Sequence, residues 1–280
     1  MTGERLVLVP LDGSEAAKTA IPAAHSLATA RNIAIAFVHV GEDRSVSEKA
    51  LRERLGIAER DRLLQGAGDS GSEICRIADE NAAWAIVMST QAETAAREAR
   101  FGGTLAAVIG KTDRAVIAIR PNLPESRRAL SRISVVVLPL DGSPAAAAAV
   151  GPARELAREF GGELQLLHVP VSVQAAPGQA GTLVGPKYLD APYHEWSTWE
   201  DEFVRRFGTE GAAGDDRVAF HTAAGDPVEQ ILRFAEERGA DLIGIAWRQN
   251  FDAGHAKIVK RLLAESQCPL LFVPARSEAS

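Results

Sequence analysis

The chain is 280 residues long, too long for one comfortable core and suited to two domains of ordinary size, since single cores stop growing near roughly 250 residues. Hydrophobic residues at 46% and charged residues at 24% are the balance of an ordinary globular protein and exclude disorder and fibrous repeats. Lys and Arg number 31 against 37 Asp and Glu, and the net charge of -6 disfavours nucleic acid or an anionic lipid surface as partner.

The first residues carry Glu4 and lead into an apolar run over 6–11, shorter than a signal-peptide core and far shorter than a membrane span. No membrane segment is expected, and the expected compartment is the cytoplasm. The run belongs to LVLVPLDGS at 6–14, which reads as a strand over 5–11, a turn, and a helix N-cap at Ser14. A helix is expected over 14–30, bent by Pro22, then a strand over 33–40 that ends in His39-Val40. A helix over 45–58, a weak strand over 62–65 and a helix over 72–81 follow, the last opened by Gly68-Asp69-Ser70. A strand over 85–89, a helix over about 103–111 and a closing strand over 115–119 complete this half.

Residues 121–132 carry proline, are polar, lack period, and read as a linker. Beyond them the chain starts again. VVVLPLDGS at 135–143 repeats LVLVPLDGS, and both the Asp12/Asp141 and His39/His168 pairs stand 129 apart (141 minus 12, 168 minus 39). Strands are expected over 133–140, 163–169, 218–222, 241–246 and 269–273. Gly225-Asp226-Pro227 matches Gly68-Asp69-Ser70 at an offset of 157 (226 minus 69), so 28 extra residues (157 minus 129) lie between His168 and Gly225. That insertion, at about 171–200, holds both tyrosines, Tyr188 and Tyr193, and two of the four tryptophans, Trp196 and Trp199. Aromatics gathered there should pack on the second half or on another chain. The expected division is a first domain over 1–120, a linker over 121–132 and a second domain over 133–280. Strand and helix alternate throughout, which predicts an α/β fold with parallel strands, right-handed crossovers and helices on both faces.

The residues P-L-D-G-S after each first strand, H-V after each second, G-D before the following helix, and the closing C-P-L-L-F-V at Cys268 together resemble the universal stress protein family in its tandem form. The resemblance covers nearly the whole chain apart from the linker, the insertion and the termini. It implies two doubly wound five-stranded parallel sheets of order 3-2-1-4-5, of the adenine-nucleotide alpha-hydrolase-like kind. It also implies an internal pseudo-dimer in which the last strands of the two halves pair, and leaves room for a homodimer.

In a sheet of that order a ligand binds beyond the carboxyl ends of strands one and four, where Asp12 and the segment after Ser89 fall. Nucleotide-binding relatives carry G-x-x-G after strand four, then nine residues, then G-[S/T]; glycines admit phosphates to the backbone and the helix N-terminus offers free amides. Here the glycine places fall at Ser89 and Ala92, while Gly102-Gly103-Thr104 keeps the glycine and hydroxyl that open the last helix. In the second half the same places fall at Ala246 and Gln249, Ala256-Lys257-Ile258 stands opposite Gly102-Gly103-Thr104, and Trp247 lies in the loop. The resemblance therefore implies ATP or another adenine nucleotide in the first half only, at Asp12, Val40, Ser89, Ala92, Gly102, Gly103 and Thr104.

Other reactive side chains read as structural. His39 and His168 lack companions at metal-ligand spacing, and Ser14 and Ser143 are accounted for as N-caps. Cys75 and Cys268 show no CxxC or Cys/His cluster and read as packing residues, which fits a reducing compartment. No catalytic residue and no metal is expected, and the protein partner is unknown. The expected function is a non-enzymatic stress-response binding or signalling module; the rivals are an ATP-hydrolysing or nucleotide-transferring enzyme of the same superfamily and a purely structural or partner-binding protein with both sites decayed.

Overall fold

A computed structural model describes residues 5–41, 47–90, 103–141, 144–169, 217–247 and 253–274. The insertion at 171–200, with Tyr188, Tyr193, Trp196 and Trp199, lies outside the described residues, as do Ser143, Ala92, Gly102 and Gln249.

The first half runs β1 (Leu6–Pro10), α1 (Glu15–Lys18), α2 (Ile21–Arg31), β2 (Ala34–Val40), α3 (Glu48–Leu55), β3 (Arg62–Gly66), α4 (Ser70–Glu80), β4 (Ala83–Ser89), α5 (Gly103–Lys111) and β5 (Ala115–Ile119). After α6 (Glu125–Arg128) the second half runs β6 (Val135–Leu140), α7 (Pro144–Ala148), α8 (Val150–Glu159), β7 (Glu163–His168), β8 (Val218–Thr222), α9 (Pro227–Glu237), β9 (Leu242–Trp247), α10 (Ala253–Glu265) and β10 (Leu270–Pro274).

Three local differences from expectation have simple causes. The single bent helix expected over 14–30 is two helices, because Pro22 has no N–H and its ring collides with the carbonyl four residues back, at Lys18, where α1 stops. Pro152 does the same in the second half, where α7 ends at Ala148. The helix expected to reach residue 58 ends at Leu55, since Gly56 takes a left-handed φ of 72° and closes it. The segment expected as an aperiodic linker carries the single turn α6, Arg127 donates to the Ala240 carbonyl at 2.8 Å, and Leu123 and Leu130 are buried.

Each half has the strand order 3-2-1-4-5, and the two join in one ten-stranded sheet of order β3-β2-β1-β4-β5-β10-β9-β6-β7-β8. All pairings within a half are parallel, with Leu8 opposite Ala36 of β2 and Ile86 of β4. At the seam β5 and β10 pair antiparallel, Val116 opposite Phe272, Ile117 opposite Leu271 and Ala118 opposite Leu270. Closing strands are apolar edges unless covered, and here each covers the other. The alternation of strand side chains sends Val7, Val9 and Ile117 to one face with α2 and α8, and Leu8, Ile86 and Phe272 to the other with α4, α5, α9 and α10. Both buried layers run across the seam. Arg31 on α2 adds a link between halves, pairing with Glu159 of α8 while lying 4.1 Å over the Trp84 ring.

Candidate functional site

The strand-to-helix turn after β1 is built from Asp12, Gly13 and Ser14. Gly13 takes a φ of 93°, which a side chain would strain. Asp12 Oδ1 accepts from the Ser14 amide at 2.8 Å and from the Ser14 hydroxyl at 2.6 Å, and Ser14 Oγ in turn accepts from the Ala17 amide at 3.1 Å. Asp12 thus rigidifies its own loop and places negative charge at a helix N-terminus, where the dipole favours it.

The neighbouring strand end is locked to this turn. His39 Nδ1 lies 2.8 Å from the Leu11 carbonyl and Nε2 lies 3.1 Å from a guanidinium nitrogen of Arg54. A guanidinium can only donate, so Nε2 accepts and Nδ1–H donates to Leu11. His168 stands 2.8 Å from the Leu140 carbonyl in the same way. These histidines tie strand two to the end of strand one, as their sequence context suggested. Replacing buried His168 by leucine leaves the Leu140 carbonyl without that donor and is expected to cost about 1–3 kcal/mol, with a smaller loss for half-buried His39; urea denaturation reads both.

Where the strand order reverses, β1 and β4 leave a crevice of about 80 Å³. Of the seven residues expected there, Asp12, Val40, Ser89 and Thr104 line it. Gly103 opens α5 next to Thr104, and Ala92 and Gly102 fall outside the described residues. Val38, Ser70, Met88, Thr90 and Leu105 line it as well. Val38 was readable as the partner of Val40 two residues on, on the same face of β2, and Ser70 as the residue after Gly68-Asp69. Thr90 carried no signal.

The helices that frame the crevice sit unusually close. Gly71 of α4 faces Ala107 of α5, where a Cβ on residue 71 would collide with that of Ala107, so glycine lets both helices, and with them Ser70 and Thr104, reach the crevice. Asp69 caps α4 through the Ser72 amide at 2.9 Å. The Ser72 hydroxyl, its amide and Lys111 hold the Asp69 carboxyl below the usual carboxylate range. The resulting wall is apolar on β2, β4 and α5 and hydroxyl-bearing at Ser70, Ser89, Thr90 and Thr104, with one carboxylate at Asp12. Such a lining suits a flat heterocycle with hydrogen-bonding edges.

The second half differs at one decisive place. By strand register Trp247 occupies the position of Thr90, since Ile86 pairs with Leu8 and Ile243 with Val137. Trp247 is 2% exposed, lies in the same buried layer as Val169, Val228 and Ile231, and meets Phe272 edge-on at 6.1 Å. A buried indole therefore stands in the second half where Thr90 borders the crevice in the first.

Both cysteines are buried, and burial pushes the Cys75 and Cys268 thiols up to about 11, so both stay protonated and unreactive near neutral pH. Among the described residues no group of three or more His, Cys, Asp or Glu side chains is placed to hold a metal ion. Among them, too, no helix is long and apolar enough to cross a membrane.

A model of the universal stress protein family matches residues 133–274. A universal stress protein from Archaeoglobus fulgidus has a solved structure that superposes with a TM-score of 0.65 at 17% identity, covering 98% of this chain and 97% of its own. A functionally unknown protein from Pseudomonas aeruginosa superposes with a TM-score of 0.61 at 13% identity, covering 97% of this chain and 93% of its own. At these identities the likeness shows the fold. No curated protein matches the sequence.

Proposed function

This chain belongs to the universal stress protein family, and from that premise we propose that it is a binding module whose first-half crevice takes one adenine nucleotide per chain, acting by binding rather than by turnover. The observation that carries the reading is the contrast between the two switch points, an open crevice lined by Asp12, Ser89, Thr90 and Thr104 against a buried Trp247 at the place of Thr90 in the second half. At about 80 Å³ the crevice is below the roughly 300–1,000 Å³ of ligand pockets, so the base enters it and the phosphates lie outward along the N-terminus of α5. Asp12 then accepts from the base or ribose with its loop already ordered. The proposal keeps the division into residues 1–120, 121–132 and 133–280 and a reducing, cytoplasmic setting that leaves the buried thiols free.

Isothermal titration with ATP tests the reading. About one site per chain is expected, weakened about tenfold or more by Asp12→Ala, because hydrogen bonds to a charged group are worth about 1.5–3 kcal/mol. Asp141→Ala is expected to leave it unchanged. Two equivalent sites, or a loss confined to Asp141→Ala, assign the site to the wrong half. The small volume also favours a second reading, a partner-binding protein with both sites decayed. That reading expects no heat from ATP and no nucleotide released from the purified, denatured chain.

A further inference from the structure

We propose that the cleft between β8 and α9, at the outer edge of the second half, is an oxyanion-binding site that takes the carboxylate or phosphate group of a small organic molecule. The cleft has a cavity volume of about 450 Å³, within the roughly 300–1,000 Å³ of ligand pockets. It lies along the terminal strand of the sheet, far in strand order from the crevice at β1 and β4, and the proposal stands independently of nucleotide binding.

Its chemistry comes from His221 on β8 and from Gln230, Arg233, Phe234, Glu237 and Arg238 on α9 and its C-cap. Two guanidiniums face one carboxylate. Arg233 is engaged, 2.6 Å from Gln230 Oε1 and 3.7 Å from Glu237. Arg238, unlike Arg233, has no carboxylate within ion-pair distance among the described residues.

Although exposed, Arg238 is held in place. Its guanidinium carbon lies 5.1 Å from the centre of the Phe234 ring, and one of its nitrogens lies 3.5 Å from His221 Nδ1. His221 packs against Phe234 at 4.9 Å and its Nε2 lies 2.7 Å from Gln165 Oε1. Since a guanidinium only donates, the His221 Nδ1 lone pair faces Arg238 and Nε2–H donates to Gln165. The imidazole is therefore neutral and adds no charge of its own. Burial and then the Arg238 charge push its pKa below the ordinary histidine range, with Glu163 of β7 opposing.

The C-terminus of α9 offsets only about half a charge of Arg238. What remains is a positive fork with a fixed plane, the geometry that carboxylates and phosphates accept in pairs of parallel hydrogen bonds. The remaining volume, walled in part by Phe220, has room for an organic body behind the anionic group.

The test titrates the full chain with benzoate and with phenyl phosphate while following the His221 ring proton by NMR. Saturable binding on the order of millimolar is expected for at least one probe, because small ligands bury few atoms. The tighter of the two assigns carboxylate or phosphate. Bound anion should raise the His221 pKa, as an opposite charge nearby favours imidazolium. Arg238→Gln should weaken binding about tenfold or more, and Arg238→Lys, which keeps the charge but loses the fork, should fall between. Shifts that rise linearly without saturation in the unmodified chain, or equal affinity in folded Arg238→Gln, overturn the proposal.

Discussion

Leu271→Asp is expected to destabilise the whole chain by about 4 kcal/mol or more, beyond the usual range for single substitutions. Leu271 is 3% exposed and pairs with Ile117 at the middle of the antiparallel seam. The substitution removes about 1.5–3 kcal/mol of apolar burial and adds the cost of a carboxyl group in a layer where Ile117, Ile119 and Val273 offer no side-chain partner. Because the buried layers on both faces run through this seam, the two halves should lose stability together. Urea denaturation followed by circular dichroism reads the midpoint and slope; an unchanged midpoint would show that the halves hold together by other means.

Trp247→Ala is expected to cost about 3–5 kcal/mol, the range for removing a large aromatic from a packed layer. The indole is 2% exposed and meets Phe272 edge-on, so its removal takes away an aromatic pair as well as area. Thr90→Ala, the equivalent change in the first half, should cost under about 1 kcal/mol because Thr90 is half-buried and borders the open crevice. The difference between these two values measures how far the second switch point has been filled. Equal losses would mean that Trp247 does not fill it.

Much of this protein is determined by the sequence alone. The repeated LVLVPLDGS and VVVLPLDGS, the recurring histidine and the alternation of strand-length and helix-length periods specify two α/β halves with parallel strands, and the family resemblance these residues carry implies the order 3-2-1-4-5 that each half shows. These signals are legible because they are local: a capping serine acts within three residues, as from Ser14 to Ala17, and a proline stops a helix four residues back, as from Pro22 to Lys18. The switch-point rule points to Asp12 and the segment beginning at Ser89, and the resemblance adds Val40 and Thr104; all four line the crevice.

Only the tertiary structure decided the rest. The register of Ile117 against Leu271 depends on two strands more than 150 residues apart (271 minus 117 is 154), and no period within either strand encodes it. Thr90 borders the crevice and Trp247 is buried at its counterpart because the strand alternation of β4 and β9 sends both residues to the same face, where Trp247 packs into the buried layer. The cleft beside β8 joins Gln165, His221, Phe234 and Arg238, which come together through a parallel strand pair and a helix crossing. Periodicity tells which side of an element faces the core; which distant side chains meet there is set by packing.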